Sequence, residues 1–176
     1  DPERLLESIA QGACELLRTP HCNLFLVEGD VLRCRVALGN MEWTRTEPLQ
    51  IPKGQGLAGR VWETGLPVVV EDYPHWPGRL PDPRFHGVYH SVGVPIVVWG
   101  EVAGVLNLAR EDPGDPFTAE EVAVLAQFAH LASLVLHSAR LRAEAETAAR
   151  AVEAQRAFYE EILNNVQTDT AVFDPQ

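Results

Sequence analysis

The chain has 176 residues, of which 46% are hydrophobic and 22% charged, which is enough to build one good core. Its formal net charge of −11 argues against a nucleic-acid partner, because phosphate binding requires a basic surface. No apolar run approaches the length of a membrane span, and three cysteines without CxxC spacing fit a reducing cytosol. We therefore expect a cytoplasmic domain that contacts neither nucleic acid nor membrane.

The N-terminal part of the chain predicts a helix followed by a β-hairpin. Pro2 suits a first helical turn, Thr19 and Pro20 end the helix, and the apolar residues between recur at helical spacing: Leu5, Leu6, Ile9, Ala13, Leu16 and Leu17. Residues 24–27 and 31–36 flank a Glu-Gly-Asp turn, as in two antiparallel strands. The residues from there to position 49 show no clear pattern.

A glycine-rich stretch follows, and it first suggests a nucleotide site. Three glycines from Gly54 to Gly59 form the G-x-G-x-x-G pattern, and Asp72 follows at roughly the distance found in a dinucleotide-binding fingerprint. The surroundings disagree, because the preceding segment is short, polar and interrupted by Pro52, unlike a central strand. The next helix must also end after about two turns, where a crossover helix needs about a dozen residues. Nucleotide binding is therefore disfavoured.

The remaining strands are predicted at residues 68–70 and in a hairpin further on. Residues 91–98 and 102–109 form the two arms of this hairpin, and glycine in the first loop position, Gly100, suits a type II′ turn. The strands come in hairpins and helices sit at the two ends of the domain. We therefore predict an α+β fold, an antiparallel sheet with helices packed on one face.

The C-terminal part predicts one long helix. Residues 112–116 interrupt regular structure, Thr118 is a suitable N-cap, and Glu121 completes a capping box. No proline or glycine follows until Pro175, which permits a helix well beyond the ordinary length of about 8–20 residues. Such a helix is typical of a coiled coil or signalling stalk.

Apolar residues recur in heptads along this helix and predict a dimeric coiled coil. The candidate interface residues are Leu131, Leu134, Leu141, Ala145, Ala148, Val152, Tyr159 and Ile162. The alanines make the apolar stripe narrow, so we expect a weak dimer in isolation. The alternative is that the first half packs on its own sheet and the rest is a frayed helix.

Taken together, these motifs closely resemble the signature of GAF domains, the small sensory modules of kinases, phosphodiesterases and transcription regulators. The glycine-rich turn at 54–59 opens a short helix, and residues 65–72 match the family's Gly-x-Pro-Val-hydrophobic-x-Asp strand. Residues 91–108 match its final hairpin. The resemblance covers about residues 1–140 and implies a GAF/PAS-like fold extended by a signalling helix.

The last residues resemble the opening of a PAS domain, a second sensory fold, with 171–173 as its first strand. The chain then looks like a fragment of a longer multidomain signalling protein such as a histidine kinase or a diguanylate cyclase. We divide it into a GAF domain at 1–140, a coiled-coil signalling helix at 141–166 and the truncated start of a PAS-like domain at 167–176.

Residues 71–91 form the candidate ligand site. A connection this long, rich in proline, is typical of a lid or a binding loop. In GAF domains the corresponding segment lies over the ligand cavity, and aromatic side chains with a few polar groups suit such a pocket. The candidates are Tyr73, His75, Trp76, Phe85, His86, Tyr89 and His90. The alternative is that the aromatic side chains only pack the loop onto the sheet.

Catalysis and metal binding find little support. His86 and His90 have H-x₃-H spacing, but no cysteine pair or H-E-x-x-H pattern accompanies them, and no nucleophile with a base is readable. Cys14, Cys22 and Cys34 fall on the first helix and hairpin, away from the pocket segment. This placement differs from the clustered cysteines of GAF proteins that reduce methionine sulfoxide. We predict no catalytic residue and no metal site.

The cofactor is left unidentified by the resemblance. A few GAF domains ligate haem through a histidine, so haem stays open, although surface or hydrogen-bonded histidines are far commoner. Bilin is disfavoured because residues 71–91 contain no cysteine to attach it. Cyclic nucleotides are disfavoured because the family's Asn-Lys-Phe-Asp-Glu constellation is absent from the sequence.

We expect a regulatory sensory module that binds a small molecule under the 71–91 loop. Its state would be relayed to an output domain through a homodimer formed by the N- and C-terminal helices. The alternative is a ligand-free dimerisation and relay domain whose pocket is filled by its own side chains. The fragment itself is expected not to be an enzyme, although the full-length protein can carry a kinase or cyclase domain.

Overall fold

The structure is a computed structural model that describes the backbone of residues 1–39 and 49–170, and their side chains up to residue 163. It divides into two compact units, Asp1–His137 and Ser138–Gln176. The elements are α1 (Pro2–Leu16), β1 (His21–Glu28), β2 (Val31–Leu38), β3 (Gln50–Pro52), α2 (Gly56–Thr64), β4 (Val68–Val70), two single-turn 3₁₀ helices (Tyr73–His75 and Pro83–Phe85), β5 (His90–Val98), β6 (Glu101–Arg110) and α3 (Ala119–Thr170).

The described strands form one antiparallel sheet in the order β3-β2-β1-β6-β5-β4. The central strands β1 and β6 are joined through Leu24, which pairs with Leu106 of β6 and with Val36 of β2. All three side chains are buried on the same face. The predicted α+β fold with an antiparallel sheet is confirmed.

Both terminal helices pack on this face, as predicted. Gly12 lets α1 approach α3, since a Cβ there would lie 3.1 Å from Cε1 of Phe128. Leu5 and Leu16 do not belong to the buried stripe of α1, and they are 53% and 63% exposed. The residues of α1, of its C-cap and of α3 that are buried in this core are Leu6, Ala10, Ala13, Cys14, Leu17, Leu125, Ala129 and Ala132.

The short helix α2 covers the opposite face, so helices lie on both sides of the sheet. Close packing explains two glycines at this helix, one on the strand that it covers and one within the helix itself. A Cβ at Gly93 of β5 would lie 2.5 Å from Cδ2 of Leu57, and one at Gly59 would lie 2.5 Å from the carbonyl oxygen of Pro52. The helix ends at Gly65, whose φ of 68° is left-handed, which confirms the predicted length of about two turns.

The β5–β6 hairpin turns one residue earlier than predicted. Val98 pairs with Glu101, so the loop residues are Trp99 and Gly100, with φ of 53° and 82°. Two positive φ values are typical of a type I′ turn rather than type II′. Trp99 adopts a conformation that few non-glycine residues take, and its Nε1 donates to Nε2 of His137 on α3 at 3.0 Å. This contact joins the hairpin tip to α3 within the first unit.

The start of α3 has the predicted capping box. Thr118 N donates to Oε2 of Glu121 at 2.8 Å, and Glu121 N donates to Oγ1 of Thr118 at 3.2 Å. The helix has 52 residues, which confirms the predicted long helix. Residues 167–170 continue it, and the predicted strand at 171–173 lies outside the described residues.

Part of α3 is long and apolar enough to cross a membrane, with a mean hydropathy of 1.6 over an 18-residue window. One such helix is weak support for a membrane span, because a core helix of a soluble domain passes the same test. Leu125, Ala129 and Ala132 of α3 are buried against the sheet, which accounts for part of its apolar character.

Candidate functional site

A cavity lies on the α2 side of the sheet, beneath the segment of residues 71–89, which we call the lid. Its volume is about 20 Å³, which is room for about one water molecule. The sheet, α2 and the lid each contribute side chains to its wall. The lining residues are Phe25, Ile51, Leu57, Ala58, Tyr73, Leu80, Phe85, Val88, Ser91, Asn107 and Ala109.

Two polar side chains of the sheet reach this largely apolar cavity. Ser91 Oγ donates to the carbonyl oxygen of Leu108 at 3.1 Å and accepts from Nδ2 of Asn107 at 3.5 Å. Asn107 is 7% exposed, and its Oδ1 atom is buried with no hydrogen-bond partner. A buried polar atom without a partner costs about 1–3 kcal/mol. A water or ligand that donates to this oxygen therefore stabilises the domain.

The lid is held in place by its own rings and hydrogen bonds. The ring of Tyr73 lies 5.9 Å from that of Trp76 and 5.8 Å from that of Phe85. Its hydroxyl oxygen accepts from Leu80 N at 3.4 Å. Burial raises the pKa of Tyr73, so the hydroxyl stays protonated at neutral pH. The lid thus presents a neutral, mostly aromatic surface to the cavity.

The aromatic residues proposed from the sequence have different positions under this lid. Tyr73 and Phe85 line the cavity. Trp76 packs against the same buried cluster but is not among the lining residues. Tyr89 stacks edge-on against His90, with ring centroids 5.0 Å apart. The structure therefore brings two of these four aromatic side chains to the cavity.

The three histidines of this segment are not brought together. His75 is exposed and pairs with Asp72 through Nδ1 at 2.9 Å, and His86 is also exposed. His90 is buried, and its Nε2 donates to the carbonyl oxygen of Pro113 at 3.0 Å. H-x₃-H spacing places two side chains together only on a helix, and His90 begins a strand. Among the described residues, no group of three or more His, Cys, Asp or Glu side chains could hold a metal ion.

The sequence patterns did not identify the two polar side chains of the sheet that line the cavity, Ser91 and Asn107. Both lie within the hairpin that resembles the GAF signature, where the sequence pattern indicates only a strand. Asn107 is flanked by Leu106 and Leu108, so a polar residue with leucine on either side was the available signal. Its alternation places it on the face opposite these leucines, which is the α2 side.

The cysteines are divided between the two faces. Cys14 and Cys22 are buried with α1, and a hydrogen bond from the Cys22 thiol lowers the pKa of Cys14. Cys34 belongs to the cluster on the cavity side, which corrects the expectation that all three lie away from the pocket segment. Burial raises the pKa of Cys34 to about 12, and the thiolate is the reactive form of cysteine. Cys34 is therefore a poor nucleophile at neutral pH.

Cys34 is expected to be alkylated by iodoacetamide at pH 8 at least about a hundredfold more slowly than free cysteine. The reason is its small thiolate fraction and its burial. Peptide mapping by mass spectrometry after timed quenching gives the rate at each cysteine. Protein unfolded in guanidinium is the control, in which all three cysteines should react alike. Rapid labelling of Cys34 in the folded protein would contradict this assignment.

A second candidate surface is the heptad stripe of α3. Its six large residues are between 41% and 66% exposed: Leu131, Leu134, Leu141, Val152, Tyr159 and Ile162. Ala145 and Ala148 are exposed as well. Exposed apolar residues that recur at heptad spacing often mark an interaction surface. Its role as a dimer interface stays a prediction.

Comparison with known proteins identifies the family of this chain. A model of the GAF domain matches residues 1–136. Two Nif-specific regulatory proteins, from Azospirillum lipoferum and Azospirillum brasilense, are each 30% identical over an alignment of 118 residues that covers 62% of this chain. The match spans 18% of the length of those relatives.

Solved structures agree on the fold. The GAF domain of a phosphoenolpyruvate-protein phosphotransferase from Coxiella burnetii has a TM-score of 0.73 and 24% identity, covering 82% of this chain and 87% of its own. A free methionine-R-sulfoxide reductase from Neisseria meningitidis, solved with its substrate, has a TM-score of 0.67 and 23% identity, covering 81% of each chain. The match of the GAF model to most of the chain, on a sheet and helices of the same fold, shows that the chain belongs to the GAF domain family.

Proposed function

We propose that this GAF domain is the regulatory sensor of a longer cytoplasmic signalling protein, in which the cavity binds a small molecule and α3 relays the bound state. GAF domains are regulatory sensory modules of signalling proteins. The observation that carries ligand binding is the unpartnered Oδ1 of Asn107 in a cavity covered by an aromatic lid. The proposed output domain follows a PAS-like domain and is a histidine kinase or a diguanylate cyclase.

The β5–β6 hairpin supports a route from cavity to helix. Ser91 and Asn107 are on its two strands, and the strands end at the tip where Trp99 contacts His137. The Trp99 and His137 rings are 5.1 Å apart, edge to face. A ligand that shifts the hairpin would thus act on α3 through this contact. Such a ligand can shift the equilibrium only by its differential affinity for two states, typically about 1–3 kcal/mol.

The alternative is a dimerising relay whose pocket is filled by its own side chains. The observation in its favour is the cavity volume of about 20 Å³, because the lining side chains, with Leu80 and Phe85 of the lid among them, leave room for about one water. A ligand larger than water must displace one of them. The two functions therefore differ in whether the lid opens.

An enzymatic role has less support. The likeness to a methionine sulfoxide reductase shows the fold alone, and the reactivity of this chain depends on its own cysteines. Cys34 has a raised thiol pKa, and Cys14 and Cys22 are buried on the other face of the sheet. We therefore propose a sensor without catalytic activity of its own.

Native mass spectrometry of the purified protein, with an absorption spectrum of the same sample, tests the proposal. We expect a dimer with excess mass, and visible absorbance would separate haem or bilin from a colourless metabolite. Ala109→Val enlarges a lining side chain and reduces the cavity volume, so it should remove the excess mass. Ala103→Val, on the same strand but outside the lining, is the matched control and should keep it.

Two outcomes would count against ligand binding in this cavity. Excess mass that persists in Ala109→Val would place the ligand elsewhere. A clean dimer without added mass, together with no stabilisation by small molecules, would favour the self-filled relay.

A further inference from the structure

We propose that the cavity selects an uncharged, ring-sized molecule that donates an N–H or O–H hydrogen bond to Oδ1 of Asn107. This inference rests on the proposed function, because it concerns the same cavity. It assigns Asn107 as the residue that determines specificity. Three features of the site carry it: the direction of one hydrogen-bond chain, the charge of the lining and the size of the side chains in the lid.

The hydrogen-bond chain fixes what Asn107 can offer. Ser91 Oγ has one proton, which it donates to the Leu108 carbonyl at 3.1 Å. The Ser91 oxygen can then only accept a hydrogen bond from Asn107. The amide therefore turns its Nδ2 toward Ser91, at 3.5 Å, and its Oδ1 is not used in this chain. That oxygen is buried and has no partner. The cavity therefore offers an acceptor and needs a donor.

The described lining offers a charged ligand no charge to pair with. None of the described residues that line the cavity is charged. Neither arginine of the lid is among the described lining residues, and both bond within the lid: Arg79 Nη1 donates to the Pro74 carbonyl at 2.5 Å, and Arg84 Nε donates to Asp82 at 2.8 Å. Moving an ion into such a site without a partner is costly, whereas a neutral donor is compensated by Asn107.

The lid sets the size. The closed cavity of about 20 Å³ admits about one water. Leu80 and Phe85 are the half-buried lining residues of the lid, and the strongly buried Tyr73 is fixed between two other rings. Outward movement of the Phe85 ring would open a space of one aromatic ring. A ligand of that size would restore the apolar contacts that the ring loses.

Phenol and toluene test this as a matched pair, because they have the same size and only phenol donates. We expect the folded protein to bind phenol about tenfold more tightly than toluene, and Asn107→Leu to reverse the preference. Leucine has nearly the shape of asparagine and leaves no unpaired atom. Dissociation constants come from titrations followed by nuclear magnetic resonance, with circular dichroism as the check of folding.

Further variants keep the test decisive. Phe85→Ala provides the space directly and should strengthen binding of phenol. Ser91→Ala frees the amide of Asn107 to rotate and present Nδ2, so it should improve the binding of an acceptor such as benzoate relative to benzamide, even where Asn107→Leu does not fold. Benzoate, which is charged and lacks a donor, should bind at least about tenfold more weakly than benzamide.

The affinities separate an error in the ligand class from an error in the ligand-binding function. Equal affinity for phenol and toluene, or for benzoate and benzamide, would overturn the ligand class and leave a ligand-binding cavity in place. No binding of any probe to the natural protein or to Phe85→Ala would overturn the ligand-binding function together with this inference.

Discussion

Replacing Arg110 with methionine is expected to lower the free energy of unfolding by about 3 kcal/mol, because the change removes a buried guanidinium that makes several charge-assisted hydrogen bonds. The guanidinium is almost fully buried and joins three parts of the first unit. Its Nη2 donates to the carbonyl oxygen of Leu17 after α1 at 2.8 Å and to Glu121 of α3 at 2.6 Å. Its Nη1 donates to Asp115 at 3.3 Å, and its Cζ lies 4.2 Å from the Phe117 ring centre. Urea unfolding followed by circular dichroism gives the difference.

Arg156→Met is the matched control. Arg156 pairs with Glu160 on the exposed surface of α3, at 2.9 Å, and such i,i+4 pairs contribute about 0.3–0.5 kcal/mol. Arg110→Lys keeps the charge but loses the planar fork, so it should fall between the two. A loss below about 1 kcal/mol for Arg110→Met would show that the surrounding carboxylates and carbonyls are satisfied by water instead.

The same site predicts a pH dependence. Hydrogen bonds from Arg110 hold the pKa of Glu121 below its usual value. A carboxyl whose pKa is lowered by folding adds stability above its unfolded pKa of about 4.3, and this stability is lost as the pH falls through the folded value. The stability difference between the natural protein and Glu121→Gln should therefore be largest above about pH 5 and shrink toward about pH 3. A difference that stays constant in urea titrations over this range would contradict the assignment.

The strands and helices that sequence patterns predicted are those with strong local signals. Thr118 and Glu121 formed their capping box because both partners are three residues apart and need no distant contact. The β5–β6 turn lies one residue earlier than the sequence pattern predicts, because the left-handed conformation of Trp99 accompanies a contact with His137, which is far away in sequence. The position of α2 on the other face likewise depends on long-range packing at Gly93.

The cavity residues show the same difference between features with local sequence signals and features that depend on distant contacts. The lid was found because prolines and aromatic residues cluster locally, and Tyr73 and Phe85 reach the cavity. The exposure of His86 and the burial of His90 could not be read from their spacing, since that spacing implies a helix where the chain has none. Arg110 has no local signature either, because its partners come from α1 and from the segment before α3. Its role appears only when the fold brings these segments together.

The second large effect is expected in α3, where Leu141→Asp and Val152→Asp should each abolish dimerisation. Both positions belong to the heptad stripe and are exposed within one chain. A dimer would bury two copies of each, and their loss together with the burial of two carboxylates should weaken association at least a hundredfold, or by about 2.8 kcal/mol. Sedimentation equilibrium across a range of concentrations gives the dissociation constants.

Ala143→Asp is the matched control, because it places the same charge on the outer face of the heptad, in the same region of the helix. Because aspartate has a lower helix propensity than alanine, this variant also measures how much an introduced aspartate destabilises the helix. We expect this variant to dimerise like the natural chain. Unchanged dimerisation in both Leu141→Asp and Val152→Asp would overturn the stalk, and equal loss in all three would point to helix stability rather than to the stripe. A loss confined to the two stripe variants would show that two copies of the chain associate through the heptad stripe of α3.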